Sequence, residues 1–178
     1  MRIALSFSLS AALLLVGCVP AAKQTPPPPP APPPVAPPPV AAPASEDWRD
    51  IPLTPGAWTW RADMAGSAAG FGVAGADPQF VVRCDRTNRR IILSRPGLLA
   101  AGQEAILAIT TSAGTAGYRA RPAGGTPPAI AAQTAATDPF LDKMAFSRGR
   151  FVVATAGFAR LVLPAWPEFG RVVEDCRK

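Results

Sequence analysis

The stretch Gln79-Phe80-Val81-Val82-Arg83-Cys84-Asp85-Arg86-Thr87-Asn88-Arg89-Arg90-Ile91-Ile92-Leu93-Ser94 decides how the rest of the chain is read. Two runs rich in β-branched and apolar residues, 79–83 and 90–94, flank a polar turn containing Thr87-Asn88. Such side chains suit a pleated, half-buried surface, and Asn tolerates the backbone of a tight turn. The segment therefore predicts a β-hairpin.

Outward from it, the same alternation recurs. Ala57-Trp58-Thr59-Trp60-Arg61 follows the turn signal Pro55-Gly56, and puts Trp58 and Trp60 on one strand face and Thr59 on the other. As a pair they read as core. Residues 66–73 form a further strand, weakened by Gly70 and Gly72. Residues 105–111 and 117–121 make a second hairpin around 112–116, and 150–155 and 158–163 a third around Ala156-Gly157. Residues 122–136, rich in Gly, Pro and Ala, read as an exposed loop with a short edge strand.

Two helices interrupt this pattern. Asp138 is placed to cap a helix with Pro139 at its first position, and Phe140, Leu141 and Met144 follow at helical spacing before Gly149. Pro167 opens the second, in which Phe169, Val172, Val173 and Cys176 form one apolar stripe at i, i+3, i+4 and i+7. The expected domain, residues 46–178, is mainly β: a compact antiparallel, β-sandwich-like fold with one or two short helices, one of them C-terminal.

Composition bounds the chemistry. The 178 residues carry a formal charge of +6, with no His and three Cys. Lacking His, the chain lacks the commonest general base near neutral pH and the commonest metal ligand. A sequence pI near 10.0 suits contact with anionic surfaces, lipid head groups or cell-wall polymer.

The N-terminus sets the compartment. Arg2 precedes an apolar run, 3–16, too short to span a bilayer comfortably, and Leu15-Val16-Gly17-Cys18 closes it. This layout is that of a secretory signal, residues 1–17, and the cysteine at its end resembles the lipobox of bacterial lipoproteins. The resemblance implies that Cys18 is lipid-modified and becomes the mature N-terminus. Val19 follows, with no Asp at that position. By resemblance to enterobacterial sorting, this implies an anchor in the outer membrane, facing the periplasm. Residues 18–45 contain the proline runs 26–30, 32–34 and 37–39. Proline excludes helix and sheet there and favours polyproline II. At about 3.1 Å per residue, Pro26 to Pro43 reaches on the order of 50 Å. The run reads as a spacer, with a proline-rich partner motif as the rival. With Cys18 acylated, Cys84 and Cys176 remain as an even pair in an oxidising compartment, which predicts a Cys84–Cys176 disulfide.

The segment Phe140-Leu141-Asp142 with Gly149-Arg150-Phe151-Val152-Val153 and Leu161-Val162-Leu163-Pro164 before a helix resembles the invasion-associated locus B family of alphaproteobacterial envelope proteins. That resemblance implies a secreted, β-sandwich-like domain and transfers no catalytic residue.

Tests for catalytic motifs yield little. Gly70-Phe71-Gly72-Val73-Ala74-Gly75 has the glycine spacing of a dinucleotide loop, but Asp77-Pro78 follows where a helix must open. Asp138 and Asp142 sit four apart, read as a helix cap and a solvated acid; Lys143 and Ser147 are likewise i, i+4 neighbours. The most prominent local feature is basic: Arg83, Arg86, Arg89, Arg90 and Arg95. Guanidinium groups so placed pair with carboxylate or phosphate, and Arg83, Arg86, Arg89 and Arg90 are candidates for anion binding. The alternative is a charged tip that blunts sheet-edge pairing. The reading is a membrane-anchored, non-catalytic binding module for an envelope protein or cell-wall polymer, with no cofactor, metal or nucleic acid. The alternatives are an inhibitor of a periplasmic hydrolase acting through residues 122–136, and an enzyme.

Overall fold

The computed structural model describes residues 47–178, which fall within one compact unit. Residues 1–17, Cys18 and the proline runs lie outside the described residues. Nine strands form one antiparallel sheet: β1 (Ala57–Asp63), β2 (Gly66–Gly72), β3 (Phe80–Asp85), β4 (Arg90–Pro96), β5 (Ala105–Thr111), β6 (Gly114–Gly124), β7 (Ala129–Ala135), β8 (Arg150–Ala154) and β9 (Leu161–Pro164). Helix α1 (Phe140–Ala145) precedes β8, and α2 (Pro167–Arg177) ends the chain. The strand order is β1-β2-β3-β4-β7-β6-β5-β8-β9.

The sheet curls until its two halves face each other. Phe80 of β3 and Phe151 of β8 lie far apart in strand order, yet their ring centroids are 6.5 Å apart. Trp58 meets Phe71, Phe80, Phe151 and Phe169, so one indole joins both halves of the sheet and α2. The strand at either end of the order is tied to the other end. The Trp58 indole N–H donates to the Pro164 carbonyl at 2.9 Å, and the Thr54 amide, just before β1, donates to the Val162 carbonyl at 2.9 Å.

The predicted hairpin at 79–94 is β3 and β4, in register from Val81↔Ser94 to Asp85↔Arg90. Val82, Cys84, Ile91 and Leu93 point inward and are fully buried. The turn is built by Asp85, whose carboxylate accepts from both the amide and the side chain of Asn88. Trp58 is buried and Trp60 packs against the core, as their shared face requires. The stripe Phe169, Val172, Val173, Cys176 is the buried face of α2.

The structure joins Cys84 on β3 to Cys176 on α2, with Cα atoms 5.4 Å apart and a separation of 92 in sequence. The bond pins the C-terminal helix onto the sheet it covers.

Residues 122–136 are the main correction. They are not an exposed loop. They contain the end of β6 and all of β7, which lies in the sheet's interior between β4 and β6. Ile130 and Ala132 alternate inward and are buried, while the Gly and Pro residues concentrate in the short turn 125–128. Pro122 is accommodated at a bulge, where the register shifts between Pro122 and Gly124 and its missing N–H is tolerated. Two smaller differences follow. β6 begins at Gly114, so the turn before it shrinks, and Phe158 lies in the β8–β9 connection rather than in a strand.

Candidate functional site

Strand alternation sends Ile91, Leu93 and Arg95 of β4 to the same inner face. The first two complete the core. Arg95 lies at the end of the strand, where β4 leaves for the connection 97–104. It is 6% exposed, the one charged residue among the buried set of the described residues. Its Nη2 donates to the Ala159 carbonyl at 2.8 Å, and its guanidinium carbon lies 5.2 Å from the Phe158 ring centroid. Its Nε and Nη1 are buried without an acceptor among the described residues. Burial lowers the Arg95 pKa from its ordinary value. Enclosing a cation costs several kcal/mol unless its donors are paired, so this arginine is not a bystander of packing.

Beside it opens a groove of about 1010 Å³. Its walls come from three chain segments. The arm 51–54 supplies Ile51, Pro52 and Thr54; β5 and the residues before it supply Leu99, Glu104, Ile106 and Ala108; the β8–β9 region supplies Ala154, Thr155, Phe158, Arg160 and Val162. The arm is held by the Thr54–Val162 pair of hydrogen bonds and by Arg150, whose Nη1 donates to the Ile51 carbonyl at 2.7 Å. Phe158 is pressed against Gly97, where a Cβ atom would come within 2.0 Å of the ring. Gly97 is therefore what lets the Phe158 ring lie against Arg95 and line the groove at once.

The lining is mostly apolar, and three large apolar side chains in these same segments stand in solvent: Leu53 at 42% exposed, Leu98 at 77% and Ile106 at 53%. Thr155 is only 6% exposed, and its hydroxyl has no hydrogen-bond partner among the described residues. Glu104 is engaged by Arg121, at 2.7 Å from Nε, and by Arg119, at 3.3 Å. These two arginines hold its carboxyl below the usual range. Arg160, on the rim, has no acidic partner within salt-bridge distance among the described residues. The groove thus offers apolar contact together with a surplus of positive charge.

The arginine hairpin is distributed rather than pooled. Arg83 is paired with Asp63 at 2.9 Å, and Arg89 donates to the Arg177 carbonyl at the C-terminal end of α2, where a cation is favoured. Arg86 and Arg90 are exposed. Of the five arginines in that stretch, Arg95 alone enters the interior. The signal for it was present in the sequence: in Ile91-Ile92-Leu93-Ser94-Arg95, alternation puts Arg95 in phase with Ile91 and Leu93. The groove itself, assembled from three distant segments, left no such trace.

The remaining candidates hold structure together. Asp138 accepts from Thr134 at 2.7 Å, from Tyr118 at 2.9 Å and from the Phe140 amide at 2.9 Å. Burial pushes its carboxyl up, and these three bonds outweigh burial and hold it below its ordinary value. Asp142 is not simply solvated: both its oxygens bind Arg177 of α2, at 2.8 and 3.2 Å. Ser147 receives the Ser112 amide and donates to the Arg150 carbonyl, while the Lys143 ammonium sits 5.7 Å from the Phe140 ring centroid. No group of three His, Cys, Asp or Glu among the described residues is placed to hold a metal.

No family model, no curated protein and no solved structure matches this chain.

Proposed function

We propose that the chain is a lipoprotein anchored through Cys18, placed on the periplasmic side of the outer membrane, with residues 18–45 as a spacer and the folded domain as a non-catalytic binding module. Its partner is an envelope protein or cell-wall polymer. The observation that carries this reading is the open, mostly apolar groove lined by Phe158 and by the exposed Ile106, with Leu53 and Leu98 exposed in chain segments that supply its walls. Exposed apolar patches of this kind mark interaction surfaces. The acids Asp138 and Asp142 support the reading, since their hydrogen bonds join secondary-structure elements instead of facing the groove.

The test has two parts. Metabolic labelling with a fatty acid should mark the wild-type chain and not Cys18→Ala. A photo-crosslinking residue at Ile106, in intact cells, should capture one dominant species, and the same residue at Thr59, on another exposed surface, should not. Equal capture at both positions removes the groove from the proposal.

A further inference from the structure

We infer that the groove receives the C-terminal tail of a partner protein: apolar residues extended beside β5, with the terminal α-carboxylate bound by Thr155 and, once Phe158 turns aside, by Arg95. This rests on the binding-module reading and names the chemistry of its protein partner.

Three observations converge on that occupant. First, two polar side chains here are more than nine-tenths buried and incompletely bonded. Thr155 is one of the groove's lining residues and its buried hydroxyl has no partner among the described residues, and Arg95 keeps two nitrogens without acceptors there. Buried polar groups in native proteins are nearly all paired. Both residues touch Phe158: its amide donates to the Thr155 carbonyl at 3.1 Å, and its ring lies under the guanidinium. Movement of that one ring would bring a hydroxyl and a guanidinium edge to the same end of the groove. A carboxylate accepts from both, and a guanidinium binds it through two parallel bonds.

Second, the local charge balance favours an anion. The one acid lining the groove, Glu104, is already held by Arg119 and Arg121, and Arg160 stands without an acidic partner among the described residues. Third, the groove favours a peptide over an alkyl chain. It is an open groove rather than an enclosed cavity, so one side of any occupant stays wet, which suits a chain with polar main-chain groups. The ladder between β5 and β8 covers Ala108, Ile109 and Thr110, whereas β6 pairs with β5 from Ala105 onward. The β8 side of Ala105 and Ile106 is therefore outside the ladder and faces the groove, where an extended segment can lie alongside the strand.

The test uses the immobilised full chain and a pool of peptides ending in five random Ala, Leu, Val or Phe residues. One pool carries a free α-carboxylate, and the other is amidated. The free-carboxylate pool should be retained at least tenfold over the amidated one. Arg95→Met and Thr155→Val should each cut that preference at least fivefold, and Phe158→Ala should tighten binding by removing the ring that lies against Arg95. Thermal unfolding of Arg95→Met should occur at or above the wild-type midpoint, because a purely structural arginine would lower it. If Arg95→Met does not fold, Thr155→Val and Phe158→Ala decide the matter alone. Equal retention of the two pools, retention of neither, or an unchanged preference in Thr155→Val overturns the inference. Retention of cell-wall fragments in place of peptides overturns it in favour of a polymer. Should the pools fail while the Ile106 crosslink captures a protein in cells, the tail is wrong and the binding-module reading stands.

Discussion

Trp58 and Pro164 close the sheet: the indole N–H of the first strand donates to the carbonyl at the end of the ninth, 2.9 Å away. The ring that makes this bond also packs against Phe71, Phe80, Phe151 and Phe169. One residue thus combines the apolar core with the join between the two sheet edges. Trp58→Phe keeps most of the apolar surface and leaves the Pro164 carbonyl without that donor. Truncation plus a buried unpaired acceptor should cost about 1–3 kcal/mol, read as a lower urea midpoint with little change in slope.

Reduction of Cys84–Cys176 releases α2 from β3 and restores chain entropy to the unfolded state. A disulfide is typically worth about 2–4 kcal/mol, through the unfolded state. The double variant Cys84→Ala, Cys176→Ala should show that loss, and reductant should have no further effect on it. A reductant response surviving in the double variant would contradict the assignment.

Asp138 makes stability depend on acid in a defined direction. Its folded carboxyl is held below its unfolded value by Thr134, the Phe140 amide and Tyr118, against burial. Its contribution is therefore present above the unfolded carboxylate pKa, near about 4, and is lost as pH falls through the lower folded value. Asp138→Asn should lower stability at neutral pH by on the order of 1 kcal/mol and flatten the acid limb of a stability–pH profile.

Arg177 binds Asp142 on α1 and also donates to the Ala136 carbonyl at 2.8 Å. The ion pair is partly exposed and should be worth no more than about 1 kcal/mol. Arg177→Ala should therefore cost more than Asp142→Ala, because it also strips a donor from Ala136. A double-mutant cycle reading equal losses would contradict this division.

Deleting residues 122–136 should abolish folding. The deletion removes β7 from between β4 and β6 and separates two halves of the sheet. Circular dichroism of the variant should show loss of strand signal; a folded product would contradict the strand order.

The hairpin at 79–94, the disulfide and α2 were legible because each rests on a local pattern with one physical reading. Alternation buries Val82, Cys84, Ile91 and Leu93, and helical spacing buries Phe169, Val172, Val173 and Cys176. β7 was illegible for a related reason. Ala129, Ala131 and Ala132 are too small to give a strong apolar signal, and the glycines and prolines next to them dominated the reading of 122–136. What makes them strand is the gap between β4 and β6, a tertiary fact. The arginine run was legible as charge but not as geometry. Four of its members face solvent or a surface partner, and Arg95 turns inward at the one position where strand phase and charge conflict.

The arm 51–54 enters the domain at a mechanically sensitive place. Tension arriving from residues before Asp47 meets Arg150–Ile51 and Thr54–Val162 before it reaches any strand of the sheet. Those hydrogen bonds are few beside the ladders behind them, so the first thing a pull would move is one wall of the groove.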